Sequence, residues 1–240
     1  MAVMKLLVGG ILPYVVPVVF VAALAYKIRA WMSLASPAMT LFPACADGQA
    51  NCINTAQEAV FFKSLFQGDK VLWAFAWAFH AVLLLVFIGH FRVLSGAPDA
   101  LLRTAGMSEG AIQAMSSGAG GAAGVVILIA TVLLLARRFA IPRVAEITGP
   151  ADYLILALIA AVIITGNMMR FGSEHFDLAL TREFFAAVAT FSGPAQAKAL
   201  ENGAFVVHML LAFMLILMIP FSKLLHFGGI FFTHQLIRKN

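Results

Sequence analysis

Five stretches of the chain each run to about 20 mostly apolar residues, the length a helix needs to cross the hydrocarbon layer of a bilayer. With no water available there, a backbone must satisfy its own hydrogen bonds, which leaves helices or closed barrels. The runs lack the two-residue alternation of barrel strands. The expected fold is therefore an all-α, multi-pass integral membrane protein, a single domain over residues 1–240 with helices near 6–26, 71–94, 121–139, 151–169 and 203–226. With 62% hydrophobic and 11% charged residues, too little polar sequence remains for a separate soluble domain. The net charge of +5 is not gathered into a basic run, which argues against a nucleic-acid partner and leaves membrane lipid as the expected surroundings.

Charge between the runs sets the expected orientation. Lys27, Arg29, Lys63, Lys70, Arg137, Arg138, Arg143, Lys223, Arg238 and Lys239 fall on one side, and Lys5, Arg92, Arg103, Arg170, Arg182 and Lys198 on the other. Positive residues concentrate in the cytoplasm, so the amino terminus is expected outside and the carboxyl terminus inside. The first run is too long for the core of a cleaved signal and is expected to stay as a span, with Pro13 and Pro17 kinking or loosening its start. Residues 56–66 carry helical periodicity with a mixed face and read as a short interfacial helix. Trp73 and Trp77 follow as aromatic anchors. Cys45 and Cys52 share the loop before that helix at a spacing unlike a metal or redox CxxC pair, and read as loop thiols. From 95 to 121 the chain is rich in Gly, Ser and Ala and reads as a connection holding a short helix at 108–115, while Gly120, Gly121 and Gly124 permit close helix packing beyond it.

Four histidines lie within two of the apolar runs: His80 and His90 in the second, His208 and His226 in the fifth. Ionisable groups at membrane depth are costly and commonly mark a site. With five spans the second and fifth run antiparallel, which sets His80 level with His226 near the cytoplasmic face and His90 level with His208 near the outer face. His208 and His226 are 18 residues apart, five turns, so one helix would carry both on one face. The ten-residue spacing of His80 and His90 is about 12 Å shorter along the axis than that, a difference for tilt and a break at Pro220 to absorb. No carboxylate or thiol accompanies the histidines within these two runs, so a bare zinc or copper site lacks ligands, whereas haem needs only two axial imidazoles and apolar walls. Two haem b groups are expected; a c-type attachment is excluded because CxxCH is absent. Arg92, Arg170 and Lys223 stand at span ends, where they would either hold haem carboxylates or serve as snorkelling anchors at the membrane surface. His175 and His234 lie in polar segments and read as surface residues, although Glu174 with His175 is the best-placed pair for moving a quinol proton.

FHAVLLLVFIGHF (79–91) and VHMLLAFMLILMIPFSKLLH (207–226) resemble the haem-bearing helices of the respiratory nitrate reductase gamma subunit family, which includes membrane cytochromes of sulfite reductase-associated and heterodisulfide reductase complexes. PRVAEITGPADYLILALIAAVIITG (142–166) is similar to the family's fourth helix and the loop before it. EAVFFKSLF (58–66) and NMMRF (167–171) look more like the sulfite reductase-associated branch; a lysine of the nitrate reductase branch has no counterpart here, Arg103 and Glu109 being the nearest charges. The resemblance implies His90 and His208 on an outer haem, His80 and His226 on an inner one, a quinol site beside the outer haem, and a cytoplasmic iron–sulfur partner in a respiratory complex of the inner membrane. The expected role is the quinol-oxidising or quinone-reducing electron-transfer subunit of an oxidoreductase complex, with no complete reaction alone.

Two rival readings are a transporter with histidine proton relays, which would want carboxylates in the spans, and a passive membrane anchor, which needs no paired histidines. A reduced-minus-oxidised spectrum of the purified chain separates them. A b-type α band from two haems per chain is expected, and a chain without a chromophore excludes the cytochrome.

Overall fold

The computed structural model describes residues 2–33, 48–173, 175–226 and 228. Cys45, Glu174, His234, Arg238 and Lys239 lie outside them. Five helices among the described residues are long and apolar enough to cross a membrane: Ala2–Met32, Lys70–Leu94, Glu109–Ala140, Pro150–Phe171 and Gly203–Phe221. Contacts divide the chain into two compact units, Met1–Val16 with Ala78–Leu215 and Pro17–Trp77 with Ile216–Asn240.

In the first unit, the start of α1 (Ala2–Met32) contains a π-helical turn at Leu6–Ile11, one turn ahead of Pro13. Proline has no N–H to give back and its ring crowds the preceding carbonyls, so the ladder widens just before it; the expected loosening takes this form. The widened turn buries Val8 and Gly9, and a Cβ on Gly9 would come within 2.6 Å of Leu200 Cδ1 and 3.1 Å of the Pro194 carbonyl. Tyr14 donates its hydroxyl to the Val188 carbonyl at 3.1 Å and stacks on Phe191.

The largest departure from expectation is in α6 (Glu109–Ala140), a single helix of 32 residues where a short helix at 108–115 within a connection and a separate span from 121 were anticipated. It follows two shorter elements, the end of α4 (Lys70–Leu94) and α5 (Ala97–Thr104). Ser108 caps it by accepting the Ala111 N–H at 3.2 Å. Its glycines each cost roughly 1 kcal/mol of helix propensity relative to Ala. They are offset by how closely α8 (Pro150–Phe171) lies against them. Asn167 donates to the Gly124 carbonyl at 2.9 Å, Arg170 donates to the Ser116 carbonyl at 3.1 Å, and the Phe171 ring covers Gly121. Any side chain at 124 would overlap the Asn167 amide. The small residues read as packing positions do pack; what the composition concealed is that residues 116–120 join the short helix and the span into one.

Between α6 and α8, α7 (Pro142–Glu146) makes the turn, and Tyr153 fixes it by donating to the Arg138 carbonyl at 3.2 Å. Next, α9 (Leu178–Thr190) is capped by Asp177, whose carboxylate accepts the N–H groups of Ala179 and Leu180 at 2.7 and 3.0 Å. Its Phe184 is wholly buried, edge-on to Phe205 at the start of α10 (Gly203–Met218).

The second unit holds α2 (Gly48–Phe61), which includes Cys52, and α3 (Lys63–Gly68). The expected interfacial helix thus starts earlier and breaks at Phe62, whose φ of 50° is left-handed. The indole N–H groups of Trp73 and Trp77 donate to the Phe61 and Val60 carbonyls at 2.8 and 3.0 Å, satisfying acceptors that the end of a helix leaves open. The last span also differs from expectation. Its α-helix stops at Met218 and continues as 3₁₀ turns at Ile219–Phe221 and Lys223–Leu225, because Pro220 has no N–H for the α ladder. His226 therefore lies beyond the regular helix, and the five-turn argument that set it on one face with His208 does not hold.

Replacing Gly124 by Leu is expected to destabilise the detergent-solubilised protein by about 1–3 kcal/mol through overpacking against Asn167. Gly118→Ala, where a Cβ meets nothing within 4 Å, should leave the thermal midpoint unchanged or slightly raised.

Candidate functional site

His90 and His208 face one another. Their ring centres are 6.4 Å apart and their planes differ by 13°. His90 sits in the last turns of α4, and its Nδ1 is 2.7 Å from the Val86 carbonyl one turn back, an acceptor that requires Nδ1 to carry the proton. His208 reaches Thr165 Oγ1 on α8 with its Nδ1, at 3.0 Å. The Thr165 hydroxyl is committed to its own helix, 2.9 Å from the Ala161 carbonyl and 3.0 Å from that of Val162, so its oxygen accepts from His208. Both imidazoles are thereby set in the tautomer that leaves Nε2 with the lone pair, as a metal ligand requires. Gly166 lies against the ring: a Cβ there would be in ordinary contact with His208, 3.4 Å away.

This donor set fits haem. An imidazole nitrogen ligates a first-row metal at about 2 Å with the ring centre about 1 Å behind, so two rings sharing one ion have centres about 6 Å apart. No group of three or more His, Cys, Asp or Glu suited to a metal occurs among the described residues. A two-imidazole set suits a macrocycle that brings its own in-plane nitrogens.

Two residues beyond His90, a charged cluster closes this end of α4. Asp99, 2% exposed, takes both Arg92, through Nε and Nη2, and Arg182, whose Nη2 is at 2.8 Å. Arg182 also donates from Nε to the Arg92 carbonyl at 2.8 Å, and Arg92 reaches Gln113 at 3.2 Å. The hydrogen bond from Arg92, with help from Arg182, holds the Asp99 carboxyl below the usual carboxylate range against the opposing effect of burial. A depressed carboxylate stabilises the fold above its ordinary pKa and loses that contribution as pH falls through the lowered value, so the clasp is intact at neutral pH. Beside it lies a cavity of about 410 Å³, lined by Arg92, Glu109, Gln113, Leu178 and Arg182 among others. Glu109 pairs with Arg103 at its exposed rim, 2.8 Å away.

The other expected site residues fall as follows. Arg170 is turned onto Gly120 and the Ser116 carbonyl, with its guanidinium 6.0 Å from the Phe176 ring centre. His175 is exposed, and its carbonyl accepts from Asn202 at 3.3 Å. His80 meets Phe79 edge-on. In the second unit His226 directs Nδ1 to the Lys223 carbonyl at 2.9 Å, again leaving the lone pair on Nε2. Sequence reasoning missed Thr165 and Asp99 as site residues. The signal for the first was a Thr-Gly-Asn triplet inside an apolar span; for the second there was none beyond one acid near several arginines.

Residues 63–239 match the nitrate reductase gamma subunit family. The chain is 31% identical to the Hdr-like menaquinol oxidoreductase cytochrome b-like subunit of Archaeoglobus fulgidus, over 94% of this chain and 77% of that one. It is 35% identical to the respiratory nitrate reductase 1 gamma chain of Escherichia coli, over 63% of this chain and 69% of the other. Against the nitrate reductase gamma chain of Bacillus subtilis the identity is 24%, over 90% and 88%. The residues that carry the facing imidazoles lie inside the matched span, and the chain belongs to the nitrate reductase gamma subunit family.

Proposed function

We propose that this chain is the di-haem b subunit of a respiratory oxidoreductase in the inner membrane, carrying electrons between the quinone pool and a cytoplasmic iron–sulfur partner. The observation that carries the reading is the His90–His208 pair, spaced for one iron and fixed in the ligating tautomer. Its support from relatives is their names, a menaquinol oxidoreductase cytochrome b-like subunit and a respiratory nitrate reductase gamma chain. Bound haem supplies a one-electron carrier that needs no proton of its own.

In this reading His90 and His208 hold the outer iron. His80 and His226 hold the inner one, an assignment resting on their spacing in the sequence and on the family. The chain enters from outside with its amino terminus and ends in the cytoplasm. Arg170 and Lys223 offer cations to haem carboxylates, and Arg92, already engaged by Asp99 and Gln113, adds positive charge at the outer end. Quinol binds near the outer ends of α4, α8 and α10. Of these three helices the cavity beside Asp99 borders α4 alone, its other walls coming from α5, α6 and α9; there Gln113 and Glu109 offer polar partners for a quinol hydroxyl while Leu178 offers apolar contact. Glu174 and His175 pass the released protons to the outer aqueous phase. A clamped carboxylate such as Asp99 is a poor base, so its part is to hold the two arginines in place.

His90→Ala is expected to lose the outer haem and quinol oxidation while keeping the inner haem, read as half the haem per chain by pyridine haemochrome. Retention of both haems and turnover would overturn the pairing. Thr165→Val should leave the fold intact yet weaken haem retention about 10–100-fold, because the second partner that orients His208 is gone.

A further inference from the structure

The family match begins at residue 63, and nothing so far assigns a part to the first helix. Its last turns nonetheless reach one of the candidate ligands. Within the second unit Lys27 and Trp31 line a cavity of about 470 Å³ together with Phe221, Ser222, Lys223 and His226. The indole of Trp31 also packs where a Cβ on Gly228 would stand, at 3.5 Å. The chemistry of this lining is specific. Two lysines bring positive charge, the described lining residues bring no carboxylate, and an imidazole has its Nδ1 committed to the Lys223 carbonyl. Trp31 and Phe221 add flat apolar surface. A ligand suited to all of these has a metal for Nε2, a flat apolar body for the rings, and anionic oxygens at one edge for the ammonium groups.

We infer that Lys27 and Trp31 complete the pocket of the inner haem: Lys27, with Lys223, binds the macrocycle's carboxylates, and Trp31 forms a wall against its face. The inference rests on the di-haem reading and extends it to a helix that the family match does not include. Lys27 is a positioning and tuning residue rather than an iron ligand. A cation beside haem favours the reduced form, which carries one positive charge less, so its removal lowers the reduction potential.

The test is a potentiometric titration of the b-type α band in the full-length protein, with wild type, Lys27→Gln, Lys27→Arg and Trp31→Phe compared. A His90→Ala background isolates the inner haem. Lys27→Gln is expected to shift the inner haem to lower potential and leave the outer one unmoved. Lys27→Arg should restore the wild-type value, and Trp31→Phe should broaden or shift the inner band while both haems are retained. Two haems with unmoved potentials in Lys27→Gln overturn this inference alone. So does loss of a co-purifying anionic phospholipid, seen by native mass spectrometry, without any shift in potential, because the cavity is then a lipid site. A wild-type chain that binds no haem overturns the di-haem reading itself.

Discussion

The hydrogen bond between Thr165 and His208 decides what the facing pair of imidazoles can do. An imidazole inside an apolar bundle has two nitrogens, and only one tautomer aims a lone pair at its neighbour. Because the Thr165 hydroxyl is spent on carbonyls of its own helix, it accepts and does not donate, and the proton on His208 is held at Nδ1. His90 reaches the same state by another route, through the Val86 carbonyl one turn back. Two helices that share few other contacts are matched at this one level. The helix that supplies Thr165 is itself held in place by glycines on α6, so small residues some way from the histidines set the height of one of them.

The charged cluster beyond His90 applies the same economy of partners to ions. A carboxylate that is 2% exposed is tolerated because two guanidinium groups meet it, and breaking such a buried arrangement by removing one member typically costs about 3–5 kcal/mol. It joins α5 and α9 to the end of the His90 helix, so the walls of the neighbouring cavity are positioned by ion pairs rather than by loop packing. Unlike the exposed Arg103–Glu109 pair, whose contribution is on the order of 0–1 kcal/mol, this cluster has structural weight.

Much of this was legible in the residues. Apolar runs announced the five spans because hydrocarbon imposes a single length and a single backbone solution, and Pro13 announced the widened turn before it. The four histidines stood out because charge is rare at that depth. The short helix read at 108–115 is the start of α6, but its continuity with the span was not legible: Gly, Ser and Ala look the same whether they let a chain wander or let two helices touch, and only Asn167, Arg170 and Phe171 on the far side decide between the two. The end of α10 misled for a different reason. Hydropathy continues unbroken through Pro220, but the α ladder does not, so a periodicity argument carried across it failed. Asp99 could not be found from the sequence because its meaning depends on Arg182, which is 83 residues away.

At 32 residues α6 is about 48 Å long, whereas the hydrocarbon of a bilayer is about 30 Å thick. Its early turns, where Gln113 lines the cavity, are regular helix, so that wall is a stiff one. A helix longer than the hydrocarbon is thick must either tilt within the bilayer or carry its ends beyond it.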